Sequence, residues 1–225
     1  MSSDSRSPNV LRTYPHWFYL PAAVVFAIFF IVPTLLAFYF SLTRWTLFDA
    51  TFIGLDNYRR FFSDPQLTAG LRNTLIYAVM TSGLKVIISL PLAVLLTSRL
   101  WLKDLLRSII FFPVLVSTVA VGITFSVLMQ PSTGLINTVL RAIGLTVVPD
   151  WLGNPGLALF SVALVDVWKG LGIATMIFIA GILSIPTDYF EAARLEGGSW
   201  VKFRYVILPL ARNATFTVIL LSFIG

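Results

Sequence analysis

Ser184–Leu210 reads SIPTDYFEAARLEGGSWVKFRYVILPL, the most polar stretch in the second half of a 225-residue chain, and it lies between two long apolar runs. Pro186 ends what precedes it, because proline donates no N–H and disfavours helix in the residue before it. Asp188 is placed to cap a new helix, with Glu191 three residues on at the spacing of a capping box. Tyr189 to Leu195 then reads as two turns of helix, carried by the helix formers Ala192, Ala193, Arg194 and Leu195. Gly197 is expected to end it as a left-handed residue, and Gly198 to keep the corner small. A second short helix, Trp200 to Ile207, climbs back. Pro209 falls in the first turn of the next apolar run, where a missing N–H costs little. The chain therefore leaves an apolar phase, builds a compact helical knob and returns, a shape that another protein can grip.

Composition identifies the apolar phase. Hydrophobic residues make up 57% of the chain and charged residues 12%, against about 25% charge in a soluble domain. That much apolar surface needs lipid around it, so the fold class is an all-α integral membrane protein. The apolar runs give spans at roughly 17–42, 73–96, 108–129, 156–185 and 208–225, after a polar tail over 1–16. Pro33 and Pro113 fall inside two of them as kink candidates. Between spans, 43–72 reads as an ordered loop in which Gly54 marks a turn and Asp56 or Asn57 caps a helix from Tyr58 to Phe62. Residues 130–155 read as a second loop with a short helix at Leu135 to Ile143. There are no cysteines and one histidine, His16, so thiolate chemistry and multi-histidine metal sites have no ligands. The net charge of +6 suits basic loops beside a membrane and calls for no nucleic acid.

Glu191-Ala192-Ala193, then Gly197 after Arg194-Leu195-Glu196, then Phe203, Ile207 and Leu208-Pro209-Leu210 resemble the EAA loop of ABC importer permeases. In that family the loop docks in a groove of the ATPase subunit. Glu196 stands where the family usually has Asp. The resemblance assigns residues 186–207 as the cytoplasmic coupling loop, with Tyr189, Phe190, Glu191, Ala192, Ala193, Arg194, Glu196 and Gly197 as coupling residues. Tyr189, Phe190 and Ala193 would supply its apolar contacts, and Glu191 and Arg194 its polar ones. An i,i+3 surface pair is the plainer reading of Glu191 and Arg194. Phe52-Ile53-Gly54-Leu55-Asp56-Asn57-Tyr58 is similar to the GLDNY segment of the maltose and glycerol-phosphate importer branch, which implies a carbohydrate substrate. The resemblance further implies the type I importer fold, whose core has six spans, so the sixth is expected to be missing here. It implies a second homologous permease subunit, two ATPase subunits that bind ATP and Mg, and an extracytoplasmic solute-binding protein. No G-x-x-x-x-G-K-[ST] occurs in the chain, so the energy must come from a separate ATPase.

Orientation follows from the basic residues. Arg6, Arg12, Arg99, Lys103, Arg107, Arg194, Lys202, Arg204 and Arg212 fall on one side, and Arg44, Arg59, Arg60, Arg72 and Arg141 on the other. The first side is expected to be cytoplasmic, with the N-terminus on it, in a bacterial or archaeal plasma membrane. Lys85, Asp166 and Lys169 lie at membrane depth, where charges face protein or water. Lys85 and Asp166 fall at comparable depth and could pair between helices. Asp166 and Lys169 could instead pair within one helix, and either pair could serve the pore or only helix packing. Aromatics such as Phe125 and Trp168 face lipid or helices by default. Three other functions make different demands on the chain: an ion-driven secondary transporter, which calls for an inverted repeat; a membrane-embedded enzyme, which calls for a cluster of catalytic groups; and a non-transporting permease fragment.

Overall fold

The computed structural model describes residues 16–46, 48–98 and 101–224. The expected tail through residue 15, with Arg6 and Arg12, lies outside them, as do Arg99 and Gly225. The chain divides into two compact units at Gly70/Leu71.

In the first unit, helix α1 (Trp17–Ser41) is long and apolar enough to cross a membrane. Pro33 does not end it. A π turn at Ala27–Ile31 precedes the proline and widens the helix where the ring would press on a preceding carbonyl. Next comes an antiparallel hairpin, β1 (Thr43–Trp45) with β2 (Ala50–Phe52), in the register Thr43 to Phe52. Gly54, expected to mark a turn, does so in the left-handed conformation, φ +58°. Helix α2 (Asp56–Ser63) starts earlier than expected, and neither Asp56 nor Asn57 caps it. Asp56 pairs with Arg60 Nε at 3.1 Å. The Asn57 side chain instead donates to the carbonyls of Ser41 and Thr43, both at 3.0 Å, tying α2 to the end of α1.

The second unit holds most of α3 (Pro65–Thr97), from Leu71 on, and all of α7 (Pro155–Leu183), both unbroken helices of spanning length. Asn154 caps α7 by accepting from Gly156 N. The expected single span over 108–129 is two helices, α4 (Lys103–Leu115) and α5 (Thr118–Leu128), bent by 98° at an extended Val116-Ser117. Pro113 removes one helical hydrogen bond in the last turn of α4, and the helix ends two residues later. Helix α6 (Leu135–Ala142) lies in the loop after α5. The knob follows as α8 (Thr187–Glu196). The return helix α9 (Ser199–Leu210) continues past the expected Ile207, then bends by 62° into α10 (Arg212–Ile224), so the last apolar run is not one segment from residue 208. Here too a π turn, Lys202–Ile207, precedes a proline, Pro209.

The core of this unit lies toward the end of α7 that carries the knob. Leu90, Ala93 and Leu96 of α3 pack with Ala174, Phe178, Ile179 and Ile182 of α7 and Ile207, Ala211, Ala214 and Val218 of α9 and α10. Two glycines let the backbones approach. A Cβ on Gly172 would sit 2.9 Å from the Ile110 carbonyl oxygen of α4, and one on Gly181 would sit 2.8 Å from Ala214 Cβ of α10.

Candidate functional site

The knob is built on an inward and an outward face of α8. Pro186 occupies the N-cap position, because its fixed φ leads into the helix while its carbonyl is free to accept. Asp188 therefore lies inside the first turn, where its charge favours the helix dipole without capping. Phe190 and Ala193, three apart, turn inward. Ala193 is buried with Ile185 and Val206, and Phe190 packs against the same cluster. Lys202 Nζ lies 4.6 Å from the centroid of the Phe190 ring, a cation–π contact that joins α9 to α8. Phe190 and Ala193, expected as apolar contacts for the ATPase, are engaged with the knob's own chain, Ala193 buried and Phe190 partly so. Tyr189, Glu191, Ala192, Arg194 and Glu196 are left exposed. Leu195, not among the expected contacts, is 91% exposed and is an apolar side chain held in the open. Its signal in the sequence is its spacing: four residues after Glu191, it shares that residue's face.

Gly197 ends α8 in an extended conformation, φ 170° and ψ −173°, and not in the expected left-handed one. What requires glycine is space, since a Cβ there would lie 2.5 Å from Val201 Cγ2. Gly198 has open space around it, so the tightness of the corner rests on Gly197. Among the described residues, Glu191 and Arg194 form no ion pair. Both line a cavity of about 320 Å³ with Ile182, Ile185, Phe190 and Lys202, beside the end of α7.

At membrane depth, α3 and α7 bring two of the three predicted charges together. Lys85 Nζ lies 2.8 Å from Asp166 Oδ2, with the Lys85 side chain 9% exposed and the Asp166 side chain 33%. Tyr77, Thr81 and Lys85 recur at four-residue spacing on one face of α3, and Tyr77 lies near Asp166, lining the same cavity. Gly170 makes room for the lysine: a Cβ there would lie 2.6 Å from Lys85 Cε. Lys169 does not join the pair. It lines a cavity of about 330 Å³ with Tyr77, Phe125, Ser126 and Asp166. The Phe125 and Trp168 rings lie 5.2 Å apart beside it. The loop that follows α5 is pinned by Asn137, fully buried, whose amide donates to the Pro131 and Pro149 carbonyls while its oxygen accepts from Trp151 Nε1.

Residues 85–225 match the family described as binding-protein-dependent transport system inner membrane component. A probable ABC transporter permease of Bacillus subtilis, YurN, is 34% identical over 223 residues, covering 96% of this chain and 76% of that protein. The trehalose/maltose transport system permease MalF of Thermococcus litoralis is 32% identical over 205 residues, covering 90% of this chain and 69% of that protein. Among solved structures, a chain of a bacterial alginate ABC transporter, in complex with a periplasmic protein bound to an alginate pentasaccharide, aligns with a TM-score of 0.76. It covers 91% of this chain and 69% of its own, and at 23% identity the likeness is one of fold.

Proposed function

The chain belongs to the inner membrane components of binding-protein-dependent transport systems, and from that premise we propose that it is a permease subunit of an ATP-driven importer of carbohydrates, coupled to its ATPase through α8. The observation that carries the proposal is the division of α8 into an anchoring face, Phe190 and Ala193, and an open face of Tyr189, Glu191, Arg194 and Leu195. The carbohydrate reading is supported by the named substrate of the Thermococcus litoralis relative and by the GLDNY segment.

Two ATPase subunits, holding ATP and Mg, would grip one knob on this chain and one on a second, homologous permease. A solute-binding protein would deliver substrate from the far side. Lys103, Arg107, Arg194, Lys202, Arg204 and Arg212 support a cytoplasmic side for α8 and the N-terminus. Closure of the ATPase pair would move α8, and the Phe190 contact would pass that motion to α7. From Leu183 back to Asp166 is 17 residues, about 25 Å of rigid helix, so the displacement reaches the membrane-depth cavity without a flexible joint.

The test is co-purification of the tagged chain from native membranes. The wild type should bring down a subunit that hydrolyses ATP, and a Glu191→Lys/Leu195→Asp variant, inserted in equal amount, should not. A wild-type preparation devoid of ATP hydrolysis would overturn the reading.

A further inference from the structure

We propose that the membrane-depth cavity selects a saccharide carrying an acidic group, with Lys169 as the cation that meets it. The proposal rests on the importer reading above and adds the class of substrate. It follows from how the three charges are distributed. Asp166 has Lys85 Nζ at 2.8 Å, so its charge is already met by α3. Lys169 is one turn further along the same helix, half-buried, with no carboxylate within ion-pairing distance among the described residues. The cluster therefore holds one positive charge in excess, and that charge lies on the cavity wall.

An ammonium held at this depth without a counter-ion is costly, and such charges survive where they line a pathway or meet a partner. A carboxylate, sulfate or phosphate on the passing solute supplies the missing partner. A neutral sugar leaves the ammonium unmet, and an amino sugar is repelled by it. The rest of the wall suits a sugar ring. The hydroxyls of Tyr77, Thr118 and Ser126 can exchange hydrogen bonds with ring hydroxyls, and Phe125, backed by Trp168, offers an apolar face to ring C–H groups. At about 330 Å³ the cavity lies in the range of small-ligand sites.

Glucuronate and glucose differ by one carboxylate and are the probes. Their affinities are measured by saturation-transfer NMR on the complex purified from native membranes without its binding protein, so that the binding protein's own selectivity does not enter. The wild type should favour glucuronate by about tenfold, as expected of one charged hydrogen bond. Lys169→Gln should bring the ratio near one by weakening glucuronate alone, and Lys169→Arg should keep the preference. Equal affinities in the wild type, a preference that survives Lys169→Gln, or no binding of either probe would overturn the proposal. So would loss of the second permease subunit on Lys169→Gln, since the lysine would then be meeting a carboxylate of that subunit. ATP hydrolysis by the same preparation is read separately, so failure of the importer reading is distinguished from failure of the charge selection.

Discussion

Gly197→Ala tests whether the knob is aimed by space or by backbone conformation. The backbone at Gly197 is extended, which any residue adopts, so a dihedral penalty is not expected. The new methyl would lie 2.5 Å from Val201 Cγ2 and 3.2 Å from Val201 Cβ. Ordinary carbon contacts are about 3.5–4.0 Å, so the corner must open by roughly 1 Å. Val201 cannot swing aside freely, because branching at Cβ restricts its χ1. Overpacking of this kind costs about 1–3 kcal/mol. That is about 5- to 150-fold in the population of the correctly aimed knob. The assay is ATP-driven uptake by membrane vesicles holding the whole transporter, normalised to the amount of inserted chain. Gly197→Ala should insert normally and lose uptake within that range. Adding Val201→Ala removes the 2.5 Å contact and should restore most of it, with Val201→Ala alone as control. Normal uptake by Gly197→Ala, or a defect that persists in the double variant, refutes the packing argument.

The pair at membrane depth gives a second outcome. Lys85→Met strands Asp166, and because that carboxylate is a third exposed the loss is expected at about 1–3 kcal/mol, below the value for a fully buried pair. It is read as a lower Tm of the purified complex and recovered by the Lys85→Asp/Asp166→Lys swap. Gly172→Ala drives a methyl against the Ile110 carbonyl oxygen and Phe111 Cα, backbone that cannot rotate away. A cost of about 1–3 kcal/mol should appear as a reduced yield of inserted protein. Asn137→Leu removes two donated hydrogen bonds and leaves Trp151 Nε1 without its acceptor. At roughly 2–4 kcal/mol it should raise hydrogen exchange between residues 131 and 151 while α7 stays protected.

The helices were legible because a run of apolar residues long enough to cross lipid has few other solutions. Their interruptions were legible only in part. Pro113 marks a weak point near the end of α4, but the 98° bend depends on the extended Val116-Ser117, where a single serine inside an apolar run is too little to announce a break. Pro33 looks like a kink in sequence and Pro209 like the first turn of a new helix, but each lies inside a continuing helix behind a π turn that no residue type announces. The β1–β2 hairpin escaped because its strands are three residues each, too short for alternation to register. Asn57 escaped as a tie to Ser41 and Thr43 because its acceptors are backbone carbonyls 14 and 16 residues away. Depth counted along each helix brought Lys85 and Asp166 to one level, but choosing Lys85 over Lys169 as the partner needed helix phase. Gly170, one turn beyond Asp166, is the residue that opens the space for Lys85.

The same distinction between spacing and facing governs the knob. The motif spacing locates a helix at 189–195, within the observed Thr187–Glu196, but is silent on its rotation, and rotation decides which side chains a partner meets. Phe190 and Ala193 are the most apolar choices for a docking face, yet Ile185 and Val206 claim them. That arrangement suits force transmission better than the reverse. A knob whose apolar residues faced outward would be held to its own chain by the Gly197 corner alone and could swivel when pushed. Phe190 packs against the core that holds Ile179 and Ile182 of α7 and lies 4.6 Å from Lys202 Nζ of α9, so on the proposed coupling a push on Leu195 or Glu191 would be carried into that core. Helix α7 bears Asp166 and Lys169 on the cavity wall. On the proposed coupling, Tyr189, Glu191, Arg194 and Leu195 are exposed and open to the ATPase, while Phe190 and Ala193, turned inward, would pass the motion on.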